Sequence, residues 1–149
     1  MQAYLVAKFL HVLIAILALG SSAGLGIVLE LFGDHPVHGG FVLRAIQAVE
    51  RWFVIPGYLL MLGTGLWLAK ITGLLGARWI HAALALWSIG LVALIASALL
   101  LRKQIALLDA QRANSGSYRR ISLLGRGLGA VVGVIVILTL YLMVFKPHS

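Results

Sequence analysis

Four long apolar runs, at residues 4–29, 52–72, 76–101 and 123–145, constrain this chain more than anything else in it. About 20 predominantly apolar residues in an α-helix cross a hydrocarbon core of about 30 Å. Each run has that length. Lipid offers no hydrogen bonds, so each run must close its own backbone bonds as a helix. The charge content agrees: 11% of residues are charged, against about 25% in a soluble domain. With 62% hydrophobic residues, too little polar surface remains to cover a water-soluble body of 149 residues. The first run is too long for a cleaved signal, and no small-residue cleavage site follows a short core. The expected architecture is an all-α integral membrane four-helix bundle forming one domain over residues 1–149.

The net charge of +8 reads as topology rather than nucleic-acid binding, because the basic residues cluster at run ends and in connections. Arg44, Arg51, Arg102, Lys103, Arg112, Arg119, Arg120 and Arg126 fall at one end of the bundle, and Lys8, Lys70, Arg78 and Lys146 at the other. The positive-inside rule then predicts a multi-pass plasma-membrane protein with both termini outside. Trp67, Trp79, Tyr4 and Tyr141 form the expected outer aromatic belt, and Trp52 and Tyr118 the inner one. The absence of cysteine excludes disulfides, thiolate metal sites, iron–sulfur clusters and covalently attached haem. The polar stripe of FVLRAIQAVER (41–51) predicts an interfacial helix leading into the second span, with Pro56 a candidate kink.

A five-residue word occurs twice. AKFLH (7–11) and ARWIH (77–81) align at a spacing of 70 residues, pairing Lys8 with Arg78 and His11 with His81. In the same register Ala15 meets Ala85, Gly20 meets Gly90, Gly57 meets Gly127 and Gly63 meets Gly133. This pattern predicts two parallel helical-hairpin repeats about an axis along the membrane normal. Equivalent residues then share a depth and a face, so His11 and His81 are expected to oppose each other beneath the outer headgroups.

Polar side chains inside hydrocarbon are costly and are functional candidates. Two opposed neutral imidazoles suit a metal, and a b-type haem held from both faces in particular. Gly20 and Gly90 supply the room such a group needs, and Lys8 and Arg78 the charge to neutralise its propionates. The expected function is therefore haem-linked electron transfer or redox support near the outer leaflet, serving a redox partner protein. Two alternatives stay open. One is copper binding or permeation through His11 and His81 with Met61 or Met143. The other is a cofactor-free structural subunit. The G-x-x-x-G-x-x-x-G face of Gly125, Gly129 and Gly133 predicts close helix packing, within the bundle or in a homo-oligomer. Asp34, His35 and His38 read as a solvated turn, Glu30 and Glu50 as partners of Arg44 or Arg51, and His148 as a tail residue. No nucleophile–histidine–acid set, P-loop or dinucleotide motif occurs in a credible context, which argues against hydrolysis and phosphoryl transfer.

YLVAKFLHVLIAILALGSSAG and FVIPGYLLMLGTGLWL resemble a family of bacterial four-span integral membrane proteins of similar length, which has no established activity. The resemblance covers most of the chain and implies the fold and a bacterial inner membrane. The first helix alone is distantly similar to copper-resistance membrane proteins and to the membrane-bound protoporphyrinogen oxidase. The latter likeness implies a haem-binding role for His11. The arginine- and tyrosine-rich text that follows the oxidase's first helix is missing here, so its activity is not implied.

Overall fold

The computed structural model describes residues 2–35 and 37–146. Five α-helices follow in order: α1 (Gln2–Phe32), α2 (Gly39–Val49), α3 (Ile55–Ile71), α4 (Arg78–Asp109) and α5 (Gly116–Phe145). A π-turn (Glu50–Val54) joins α2 to α3 without a break. Four helical units are thus long and apolar enough to cross a membrane, the second being Gly39–Ile71. The outer surface is what lipid demands: Phe9, Ile16, Leu31, Val92, Ile137 and Val144 all stand exposed. In water such a surface would be an aggregation hazard.

The helices pack as two hairpins. α1 lies along α3, and α4 lies along α5, while α1 barely meets α5. At the α1–α3 crossing Gly57 admits Ala18, since a Cβ on Gly57 would sit 2.7 Å from that of Ala18. The hairpins meet at Tyr58 of α3 and Trp87 of α4. Their rings stack at 5.2 Å, the Tyr58 hydroxyl donates to the Trp87 carbonyl at 3.2 Å, and the Trp87 indole N–H donates to the Tyr58 carbonyl at 3.3 Å. Val54, Met61 and Leu94 complete this buried cluster.

A second cluster lies nearer the connections. Val42, Leu43 and Ile46 of α2 pack against Leu101 and Ile105 of α4. This explains two departures from expectation. α2 docks on the bundle through its apolar stripe instead of lying free at the interface. α4 runs eight residues beyond the expected end of its span, from 101 to Asp109, because Leu101, Gln104 and Ile105 are buried there. Arg44, exposed on α2, pairs with Asp109 at the end of α4. Pro56 falls in the first turn of α3. Proline lacks the N–H that an α-helix interior needs, and its ring crowds the preceding turn. The wider π-turn just before it accommodates both.

Candidate functional site

The end of the bundle that carries the chain termini encloses a cavity of about 830 Å³ between α1, α3, α4 and α5. Its body is apolar, with Leu19, Leu62, Ile80 and Val136 among the lining residues. Its polar side chains are few: Tyr4, Lys8, His11, Tyr58, Thr72, Thr139 and Lys146, with the indoles of Trp79 and Trp87. Mostly apolar clefts of about 300–1,000 Å³ with a few convergent polar groups are the usual form of small-molecule and cofactor sites.

His11 is the buried polar residue of α1, at 9% exposure. Its Nδ1 lies 2.8 Å from the Thr64 hydroxyl of α3. Thr64 Oγ1 also faces the carbonyls of Leu60 at 2.9 Å and Met61 at 3.2 Å. A carbonyl only accepts; with the threonine hydroxyl giving its one proton to the backbone, it accepts from His11, and the imidazole proton then sits on Nδ1. Nε2 keeps its lone pair and has no hydrogen-bond partner among the described residues. Gly65 provides the space for this ring: a Cβ there would stand 3.1 Å from His11 Cε1. Thr64 and Gly65 escaped the sequence reading as site residues. They lie 53 residues or more from His11, and only the TG pair in MLGTGLW hinted at them.

His81 does not join His11. It is exposed in the first turn of α4 and is not among the residues lining the cavity. The opposed pair of rings is therefore corrected, for two reasons. α1 begins nine residues before His11, whereas α4 begins three residues before His81, about 14 Å and 4.5 Å at 1.5 Å per residue. The buried stripe of α4 also runs through Ile80, Ala83, Gly90 and Leu94, leaving position 81 on the outer face. Arg78 likewise is exposed at the start of α4, away from the cavity. Lys8 does line it, with its ammonium 5.9 Å from the Tyr4 ring centroid. The second cation on the cavity is Lys146, beyond the end of α5.

The two glycines part company as well. Gly20 lines the cavity with open space around it. Gly90 is occupied by Tyr58, whose hydroxyl takes the place a Cβ would need. Met61 and Met143 both line the cavity, bringing two thioethers to the side of the molecule that holds His11.

The remaining candidates fall elsewhere. His35 and His38 stack at 4.7 Å, and His35 Nδ1 accepts from the backbone N–H groups of Val37 and His38, both at 3.3 Å. That is a self-contained turn. Among the described residues no cluster of three or more histidine or acidic side chains is placed to hold a metal. Glu30 pairs with Arg126 at 3.6 Å rather than with Arg44 or Arg51, and Asp34 joins the same guanidinium. Gly129 and Gly133 are exposed, and a Cβ on either would meet nothing within 4 Å, so that face of α5 is not used inside the chain. His148 lies outside the described residues.

An all-helical chain with four membrane-length helices and an apolar cavity among them is a small polytopic membrane protein. More particularly, the chain belongs to the family described as "Predicted integral membrane protein (DUF2269)", which it matches over residues 5–147. No curated protein and no solved structure matches it.

Proposed function

We propose that this protein binds haem b in the cavity at its terminal end, with His11 Nε2 as the single histidine ligand and Lys8 and Lys146 balancing the propionates. One observation carries the reading: Thr64 Oγ1 occupies His11 Nδ1 at 2.8 Å, which leaves Nε2 as the ring nitrogen open to a metal. Metal-bound histidines are commonly oriented in this way, by an oxygen that accepts from the other ring nitrogen. The cavity volume of about 830 Å³ and its apolar body suit a large flat amphiphile. The first-helix likeness to the membrane-bound protoporphyrinogen oxidase points to the same residue. When bound, haem would supply a one-electron carrier. The chain's own part is to hold the ring with His11, exclude water with the apolar wall, and neutralise anionic groups at the mouth. The excess of Lys and Arg at the opposite end supports a reading in which this mouth opens at the outer face of a bacterial inner membrane and meets a redox partner protein there.

A copper site is the second reading, supported by Met61 and Met143 on the same cavity as His11, a soft donor set suited to copper(I). A visible spectrum of protein purified in mild detergent, after expression with haem supplied, tests both. A Soret band is expected. It should vanish in His11→Ala and survive in His81→Ala. Bound copper without haem absorbance would establish the second reading. Protein free of both would leave a cofactor-free subunit.

A further inference from the structure

The opposite half of the bundle holds a second polar site that the cavity does not use. Glu50 opens the π-turn, and its Oε2 is buried without a hydrogen-bond partner among the described residues. Arg126 of α5 reaches the same place. Its two terminal nitrogens face Glu30 and Asp34, but its Nε–H is buried and unpartnered. Both side chains line one small pocket of about 40 Å³, together with Ser97, Gln104 and Ser122. An unsatisfied donor or acceptor costs about 1–3 kcal/mol, and more when charged. Two on the walls of one void call for an occupant that offers both a donor and an acceptor. A water molecule needs about 10–15 Å³ and two to four polar partners. One water that donates to Glu50 Oε2 and accepts from Arg126 Nε–H resolves both.

We propose that this pocket is a hydrated proton-binding site, in which Glu50 takes up a proton delivered by water from the aqueous phase that bathes Asp34 and Glu30. The step is a simple transfer. An O–H bond of a hydronium ion breaks, a new O–H bond forms on the Glu50 carboxylate, and neutral water stays behind. Arg126 always carries its charge and only donates. It therefore relays no proton, but it lines the way. Its side chain is 22% exposed, and the Glu30 and Asp34 side chains it holds are 60% and 64% exposed at the surface. Both protonation states are electrostatically accounted for. Ionised Glu50 gives Arg126 another carboxylate, and neutral Glu50 leaves it with Glu30 and Asp34. α4 contributes only neutral side chains, Ser97, Leu101 and Gln104, and Arg51 on Glu50's own segment is exposed and turned over the Trp52 ring at 5.6 Å. A cation beside the pocket makes a metal ion a poor occupant.

Infrared difference spectra of the protein in lipid nanodiscs, stepped between acid and alkaline buffer, test this. A carboxylic-acid carbonyl band is expected to appear reversibly and to shift in D₂O. The component that Glu50 contributes should persist in Glu30→Gln and Asp34→Asn and be lost in Glu50→Gln, where the exposed carboxyls keep theirs. If Glu50→Gln fails to fold, Ser122→Val supplies the check. It fills the pocket while leaving both charged groups in place, and should slow deuterium exchange at least tenfold. The absence of a titrating acid band in the wild type overturns the proposal. So does a band that Glu50→Gln leaves undiminished, or one displaced by sodium at fixed pH.

Discussion

Replacing Gly90 with alanine probes the junction between the two hairpins. A methyl group there would overlap the Tyr58 hydroxyl oxygen and lie 3.3 Å from Ile135 Cγ2, while the nearest ring carbon of Tyr58, Cζ, would be an ordinary 3.5 Å away. The main conflict is thus with one oxygen atom, and Ile135 Cγ2 must also give by a few tenths of an ångström. Tyr58 is 3% exposed, stacked on Trp87 and bonded to its carbonyl, so a retreat toward the cavity it lines gives up both contacts. Overpacking of this kind costs about 1–3 kcal/mol. Losing the hydroxyl–carbonyl bond adds about 0.6 kcal/mol, the average for such bonds in a membrane. Alanine returns about 1 kcal/mol of helix propensity relative to glycine. Gly90→Ala should therefore destabilise by about 0.6–2.6 kcal/mol. Tyr58→Phe alone should cost about 0.6 kcal/mol. Combining the two removes the clash, so the double variant should exceed Gly90→Ala in stability by about 1–3 kcal/mol despite carrying an additional change. Reversible unfolding in mixed micelles of mild detergent and dodecyl sulfate, followed by circular dichroism, measures all four proteins. A double variant no more stable than Gly90→Ala would refute the packing of α3 on α4 described above.

Thr64→Val removes the acceptor that fixes His11; haem titration should show affinity about 10–100-fold weaker, with Thr64→Ser restoring it. Gly57→Ala places a Cβ 2.7 Å from that of Ala18 and, after about 1 kcal/mol of helix propensity is returned, should cost about 0–2 kcal/mol in the same unfolding assay. Gly129→Ala meets nothing within 4 Å and should gain up to about 1 kcal/mol from helix propensity; a loss instead would mean that another molecule covers this face of α5. Arg44→Met breaks an exposed pair with Asp109 and should change stability by at most about 1 kcal/mol, less at high salt.

The spans were legible because hydrophobicity over about 20 residues has few other solutions in an ordinary chain. His11 was legible for a related reason: an imidazole in the middle of an apolar helix has to be satisfied by something. Its actual partner was hidden, since Thr64 lies 53 residues away and ordinarily a threonine in such a helix simply bonds its own backbone. His81 misled because an alignment at 70 residues carries residue identities but neither the start of a helix nor its rotation. The glycine face of α5 shows the limit of a motif: Gly129 and Gly133 permit close approach, yet this chain brings nothing to them. Glu50 was read as half of a surface ion pair, whereas α2 docks on α4 and carries the carboxylate inward with it.

The wide turn at Glu50–Val54 has a consequence for how the two halves of the second helical unit are phased. Each residue of an α-helix swings the facing direction by about 100°, so an added residue offsets everything downstream by that angle. α2 presents Leu43 and Ile46 to α4, while α3 must bring Tyr58 to Trp87 and Thr64 to His11. A regular helix through the same residues would meet one of these obligations and miss the other. The unit therefore behaves as an offset coupling: the wide turn takes up one residue, so removing a single residue from 50–54 would close it to a regular turn and keep both faces in place, whereas forcing all the present residues into a regular helix would carry Thr64 about a quarter of a rotation away from the imidazole it orients.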